Sequence, residues 1–338
     1  MRGRRGRAGR HGGDDAPAQP ARRRLHARGR RGAAGRHAHP PGTDGGRRAR
    51  DSQEAARRFV EPLGRHDRAA LSRSGDEVQG GAQADPFALT IALPARAKLN
   101  LDLEVVGRTD DGFHQLRTTF QAIDLHDLLE IEAADETTFT ASGFDVAPTK
   151  NSVIAAHDAL EHAAKRKLPA RIVLHKRIPP GSGMGGASSD AAATLRSLKI
   201  MFGLDLDLTP IATQLGSDVP FFLTGGRAHA EGRGEKVAPL PFRPGWFAIA
   251  WPGIELLTAD VYRAWDEVKG EPPNHLRRAA EHVEPRLMDF AKKLGAGWQM
   301  TGSGSAFFKQ TDSEQEGKEA IARLDGWTAV SRAVPHWA

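Results

Sequence analysis

Cysteine is absent from all 338 residues. Its absence excludes disulfides and thiolate metal sites and suits a reducing, cytoplasmic setting. No apolar run approaches the roughly 18 residues needed to span a membrane. Tyrosine occurs once, at Tyr262, and lysine does not occur before Lys98. This late start of lysine marks a break in composition. Residues 1–84 hold 20 Arg against 9 Asp and Glu and carry +11; the remainder holds 28 Lys and Arg against 33 Asp and Glu and carries −5. The overall charge of +6 therefore hides two unlike segments. The first 84 residues contain one aromatic residue, Phe59, among many Gly, Ala and Pro. Such a segment cannot bury enough apolar surface to offset its chain entropy, so a disordered Arg/Gly/Ala-rich arm is expected. A basic arm can tether nucleic acid. A transit peptide would be serine-rich and poor in acids, unlike this one. The abrupt change in lysine usage favours a third reading, a tail without function read through from a misassigned start.

What the chain does have is a glycine run followed by a helical pattern. Pro179, Pro180, Gly181, Ser182, Gly183, Met184, Gly185, Gly186, Ala187, Ser188 and Ser189 lead into a helix expected over 187–200. Glycines there let the backbone turn tightly and approach a ligand closely. A helix N-terminus behind such a turn aims several N–H groups at one point and favours negative charge there. The two serines add hydroxyls that can bond phosphate oxygens. A dinucleotide fingerprint would need a strand running straight into the first glycine, and Pro179-Pro180 interrupts that approach. A P-loop would end in Gly-Lys-Ser/Thr, and this run has no lysine. The bland alternative is a turn that packs a helix on a sheet, with the serines as N-cap.

Alternating apolar and polar residues predict strands over 87–93 and 97–106, with Leu99, Leu101, Leu103 and Val105 on one face. A polar turn at 107–112 precedes strands over 116–125 and 128–133. Ser152 is expected to cap a helix over 153–165, and a short strand at 171–175 delivers the chain to the glycine run. Thr209-Pro210 starts a helix with Pro at its first turn. A second domain is expected from about 239–244. It holds a strand at 246–251, a helix over 259–268 capped by Thr258, and a helix over 284–294. Strands at 298–300 and 306–309 flank a glycine turn, and an amphipathic helix over 313–324 precedes a strand at 328–332. Mixed elements without a regular βαβ repeat indicate an α+β fold.

Four motifs occur in one order: Pro94-Ala-Arg-Ala-Lys98-Leu-Asn100 with the turn Arg108-Thr-Asp-Asp111-Gly-Phe113-His114; the glycine run; Gly216-Ser217-Asp218-Val219-Pro220-Phe221-Phe222; and Thr301-Gly302-Ser303-Gly304-Ser305. From about Phe87 to the C-terminus the chain resembles the GHMP kinase superfamily. Within it, the resemblance is to the branch that uses ATP to phosphorylate the 2-hydroxyl of a cytidyl-diphosphate-linked methylerythritol in non-mevalonate isoprenoid biosynthesis. The resemblance implies a ribosomal-protein-S5-like nucleotide-binding domain over 85–238, a ferredoxin-like domain over 239–338, and a cleft between them. It implies ATP as phosphoryl donor with Mg2+, whose protein ligands the sequence does not name.

Asp218 is the candidate general base and Lys98 its partner, able to stabilise the alkoxide or the moving phosphoryl group. The bland readings are a cap and a solvated strand lysine. Phe113 and Tyr262 would hold the cytosine between them, and His114 would bond its edge. Tyr262 could instead simply pack its helix beside Trp265. Asn100, Gly302 and Gly304 are placed at the substrate, Asn151 and Lys176 at the ATP. The family often has Tyr where this chain has Phe113, which keeps the stacking face and loses a hydroxyl. The partner expected is a small molecule bearing cytidine diphosphate, with no membrane. The other readings are a mevalonate- or homoserine-type kinase, which has no pyrimidine to stack, and a nucleic-acid-binding protein acting through the arm.

Overall fold

The computed structural model describes residues 89–110, 112–145 and 151–337. The expectations for the arm, for residues 87–88 and for Asp111 lie outside them. Two long strands, β1 (Thr90–Arg108) and β2 (His114–Ala133), pair antiparallel. Each covers two of the expected strands, because register shifts between Arg96 and Lys98 and between Asn100 and Asp102 bend the ladder without ending it. The second edge of β2 is shared. Its first half pairs with β5 (Arg227–Gly232), its second with β4 (Ala170–Lys176). Strand β3 (Thr138–Gly143) runs parallel to β4, and β6 (Lys236–Leu240) closes the other side against β5. A separate antiparallel sheet has the order β10 (Trp327–Arg332), β7 (Trp246–Trp251), β9 (Phe307–Thr311), β8 (Gln299–Met300).

Helices α1 (Ser152–Ala164), α2 (Gly186–Met201), α3 (Thr209–Leu215) and α4 (Val219–Thr224) share a core with the first sheet, including Leu129, Ile131, Leu160, Ile172, Leu195 and Phe221. Helix α2 is buried along most of its length, and Ala191, Ala192 and Ala193 let its neighbours approach closely. Helices α5 (Thr258–Val268), α6 (Arg277–Val283) and α7 (Arg286–Leu294) share a second core with β7–β9. Helix α8 (Glu314–Ile321) is capped by Ser313, whose hydroxyl accepts from the Glu316 N–H. A third cluster joins the sheets: Ala97, Leu99 and Ile123 meet Phe247, Ile249 and Phe308, with Ile178 and Met184 inserted from the glycine run. The expected apolar face of β1 is divided. Leu99 and Leu101 join this third cluster, whereas Leu103 and Val105, beyond the bulge, join the second.

Three capping expectations need correction. Asn151, not Ser152, caps α1; its side chain accepts from the Ile154 N–H at 2.9 Å. The N-cap of α2 is Gly185, at φ +73°, so the serine pair lies inside the first turn. Leu257 precedes α5, and the Thr258 hydroxyl bonds Ser303 at 3.0 Å. Among the described residues no helix is long and apolar enough to cross a membrane.

Candidate active site

The glycine run walls a cavity of about 580 Å3. Gly181, Gly183 and Gly185 all adopt positive φ, a conformation that L side chains resist. The run is held from both sides. The Lys98 N–H donates to the Met184 carbonyl at 3.0 Å, and the Ala306 N–H to the Ser182 carbonyl at 3.0 Å. The Ser182 hydroxyl is used within the run, donating to the Pro179 carbonyl at 2.6 Å. Helix α2 starts at this wall, where first-turn N–H groups lack partners within the helix. Pro179, Pro180, Gly181, Ser182, Gly183, Gly185, Gly186, Ala187 and Ser188 line the cavity. Met184 and Ser189 are buried, Met184 as an anchor in the third cluster.

A strand's two-residue period puts Lys98 and Asn100 on one face of β1, toward the cavity. The Lys98 ammonium lies 3.3 Å from a carboxylate oxygen of Asp218. It also donates to Asn100 Oδ1 at 2.5 Å and stands 4.9 Å from the Phe120 ring centre. Asn100 is held in place: its amide donates to the Thr118 hydroxyl at 2.8 Å, and its backbone N–H to the Thr301 hydroxyl at 2.9 Å. Asp218 precedes α4 but makes no side-chain cap bond. The buried Val219, Phe221 and Phe222 fix the helix behind it. A carboxylate in a capping position that does not cap is available for chemistry. A Cβ on Gly185 would stand 3.2 Å from Lys98 Cε, so the couple abuts the glycine run.

Tyr262 also lines the cavity, and its ring stacks on His114 at 5.0 Å. Burial pushes the Tyr262 phenol up, and the Asp218 carboxylate adds to the effect. His114 Nε2 lies 2.8 Å from Asp266, which also pairs with Arg108. Phe113 is 52% exposed, with the Arg233 guanidinium 4.6 Å from its ring centre. Each ring thus has a side chain of the protein against one face, and of Phe113, His114 and Tyr262 only Tyr262 lines the cavity. Gly302 lines the cavity, whereas Gly304 packs toward Met300 and Leu256. Asn151 lines it as well.

Lys176 lines the cavity, but its ammonium is claimed from below by Asp127 at 2.5 Å and Asp190 at 2.8 Å. Burial pushes the Asp190 carboxyl up to about 8, with Asp127 adding to the rise and Lys176 opposing it. Burial alone would push Lys176 down, yet its pairing with Asp190 and Asp127 outweighs it and holds the ammonium above its ordinary range. The native protein thus keeps a proton on Asp190 that the unfolded chain releases near 3.8. Stability from this group is full below that value and declines as the pH rises to about 8. Asp190→Asn has no such proton to lose. Its melting temperature relative to the parent should climb across that interval and then level off; a difference independent of pH would refute the protonated state.

Several site residues escaped the sequence reading. Asp266 lies four positions after Tyr262 and so shares its helix face, a pattern open to inspection. Arg233 stands between two glycines at the β5–β6 turn. Thr118 and Thr301 hold Asn100 from 18 and 201 positions away, which no local pattern shows.

Fold and glycine run together define a GHMP kinase. The family model for the GHMP kinase N-terminal domain matches residues 151–226. A mevalonate kinase of Methanococcus jannaschii shares the fold, with a TM-score of 0.51 and 14% identity over 74% of this chain and 99% of that one. The likeness to one branch is much stronger. The 4-diphosphocytidyl-2-C-methyl-D-erythritol kinase of Shewanella piezotolerans is 35% identical over 258 residues, 70% of this chain and 90% of the relative. That of Thermotoga maritima is 36% identical over 245 residues, 64% and 90% of the two chains. A crystal structure of 4-(cytidine 5'-diphospho)-2C-methyl-D-erythritol kinase superposes with a TM-score of 0.64 at 33% identity, over 72% of this chain and 99% of that one. The chain belongs to the 4-diphosphocytidyl-2-C-methyl-D-erythritol kinase family.

Proposed function

We propose that the protein transfers the γ-phosphoryl group of ATP to the 2-hydroxyl of 4-diphosphocytidyl-2-C-methyl-D-erythritol, in the cytoplasm, as a step of non-mevalonate isoprenoid precursor synthesis. One observation carries the reading: the Lys98–Asp218 couple abuts the glycine run inside a cavity that Phe120 and Tyr262 also line. The run's amides and the Ser188 hydroxyl hold the triphosphate. Asp218 takes the proton of the attacking hydroxyl, and Lys98 stabilises the charge that develops. Asn100 positions the acceptor near Lys98. Asn151 stands toward the adenine. Mg2+ neutralises phosphate charge in such transfers. Of the carboxylates that line the cavity beside the run, Asp218 is already paired with Lys98 and Asp190 with Lys176, so the ion would be held mainly by phosphate oxygens and water.

At the cytidyl end, the base stacks on Phe113 and Tyr262, with His114 reading its edge and Asp266 fixing the imidazole. Arg233 and His114 each stand against one face of these rings, which leaves the other face for the base. On this reading the first sheet is that of an S5-like domain and the second that of a ferredoxin-like domain; β6 of the first sheet runs to Leu240, so the boundary falls just after it rather than at 238/239. A mevalonate-type acceptor is disfavoured by the low identity to mevalonate kinase. Nucleic-acid binding through the arm concerns residues outside those described.

The test is ADP release with the cytidyl substrate, mevalonate and homoserine as acceptors. Turnover with the first alone is expected, and preference for either other would overturn the assignment. Phe113→Ala should raise KM for the cytidyl acceptor by about tenfold, the worth of one stacked ring. An equal rise for ATP would contradict the stacking role.

A further inference from the structure

The cluster of Asp127, Lys176 and Asp190 plays no part in phosphoryl transfer as proposed, yet it touches both ends of the glycine run. Lys176 is the last residue of β4, three positions before Pro179. Asp190 stands in the second turn of α2, just past the run. Asp127 comes from β2 and is fully buried. One of its oxygens accepts from the backbone N–H groups of Arg177 at 2.5 Å and Ile178 at 2.8 Å, where the chain enters the run. Its other oxygen accepts from the Lys176 ammonium, which also donates to Asp190, where the chain leaves it. A Cβ on Gly186 would lie 3.1 Å from that ammonium. The cation therefore sits directly against the first helical residue of the cavity wall. The charged groups facing Asp190 are Lys176 from β4 and Asp127 from β2.

We propose that this cluster is a buried clasp that fixes the spacing between the two ends of the glycine run, with Asp127, Lys176 and Asp190 as positioning residues for ATP. It rests on the reading of residues 179–189 as the triphosphate loop. Glycine removes the steric limits that would otherwise hold such a loop in one shape. A mobile loop would lose conformational freedom on each binding event. Tying its entry to its exit through one ammonium restricts it beforehand. Charge-assisted bonds between groups shielded from water are strong enough to do so. A role in ATP positioning also explains a costly choice, since apolar residues could fill the same volume without desolvating three ionisable groups.

The test compares Asp190→Leu, which removes the acceptor at similar volume, with Asp190→Asn, which keeps an acceptor for Lys176. ATP affinity of the full chain is measured by calorimetry, and KM for the cytidyl acceptor by ADP release. Asp190→Leu should weaken ATP binding at least about tenfold, while Asp190→Asn stays within about twofold, as expected for one charged hydrogen bond lost or kept. The acceptor KM should not move in either variant. A lowered melting temperature with unchanged ATP affinity in Asp190→Leu would overturn the proposal, as would equal losses in both variants. Should Asp190→Leu not fold, Lys176→Arg carries the test. Its larger head presses on Gly186 and should weaken ATP binding with the acceptor KM unmoved; unchanged ATP affinity would overturn the clasp. Wild-type protein that binds ATP with this mutational pattern but leaves the cytidyl acceptor unphosphorylated would sink the substrate assignment and leave the clasp standing.

Discussion

Asp218→Asn is expected to lower turnover by roughly 10²- to 10⁴-fold, the range over which a positioned general base acts. The substitution keeps size, shape and one acceptor oxygen, so Lys98 retains a partner. It disturbs no helix cap, because the Asp218 side chain makes none. The glycine run is likewise untouched, so ATP affinity should change by less than about threefold, well under the worth of one charged hydrogen bond. Single-turnover kinetics with saturating ATP would isolate the chemical step. Turnover at the wild-type rate would remove Asp218 from the mechanism. Loss of ATP affinity in step with turnover would make it a binding residue.

Gly183→Ala should cost turnover heavily although it adds a single methyl group. Its Cβ would fall 2.3 Å from the Thr301 carbonyl and 2.9 Å from the Gly304 carbonyl, so rigid backbone from the C-terminal glycine turn must retreat. Its φ of +78° adds strain of about 1–2 kcal/mol. The run and that turn are adjoining parts of one cavity wall, and parting them misplaces ATP relative to the acceptor. A displacement near 1 Å costs on the order of a hundredfold in rate, and this is the loss expected in kcat. Gly203→Ala is the control. Gly203 also has positive φ, but nothing lies within 4 Å of the added carbon. It should lower the melting temperature and leave kcat alone. Equal kinetic losses in the two variants would show that backbone strain, not the contact between the loops, governs the rate.

How much of this was legible beforehand depended on range. Lys98 and Asn100 could be placed together because a strand repeats every two residues, and the glycine run announced itself by composition. The long strands were harder. Pro94 reads as a break, yet among the described residues β1 is an edge strand whose other side pairs with no strand of its sheet, where a missing N–H is tolerated. Strands β5 and β6 hold three Ala, one Val and no aromatic residue and have little intrinsic preference for extended structure; pairing of β5 with β2 and of β6 with β5 supplies it. Helix α4 is six residues long and follows the glycine-serine turn almost without warning. The Lys176 clasp was invisible because Asp127 lies 49 positions away and neither carboxylate has a local signature. The covered faces of Phe113 and Tyr262 depend on Arg233 and His114 brought in by folding.

A double-mutant cycle on the central couple is the most direct test. Turnover with the cytidyl acceptor is compared among wild type, Lys98→Met, Asp218→Asn and the double variant. Groups that act as one unit lose their function together, so the double variant should be only about as slow as the slower single one. If the two losses instead multiply in full, or if either single variant turns over like wild type, Lys98 and Asp218 do not form the catalytic unit of this enzyme.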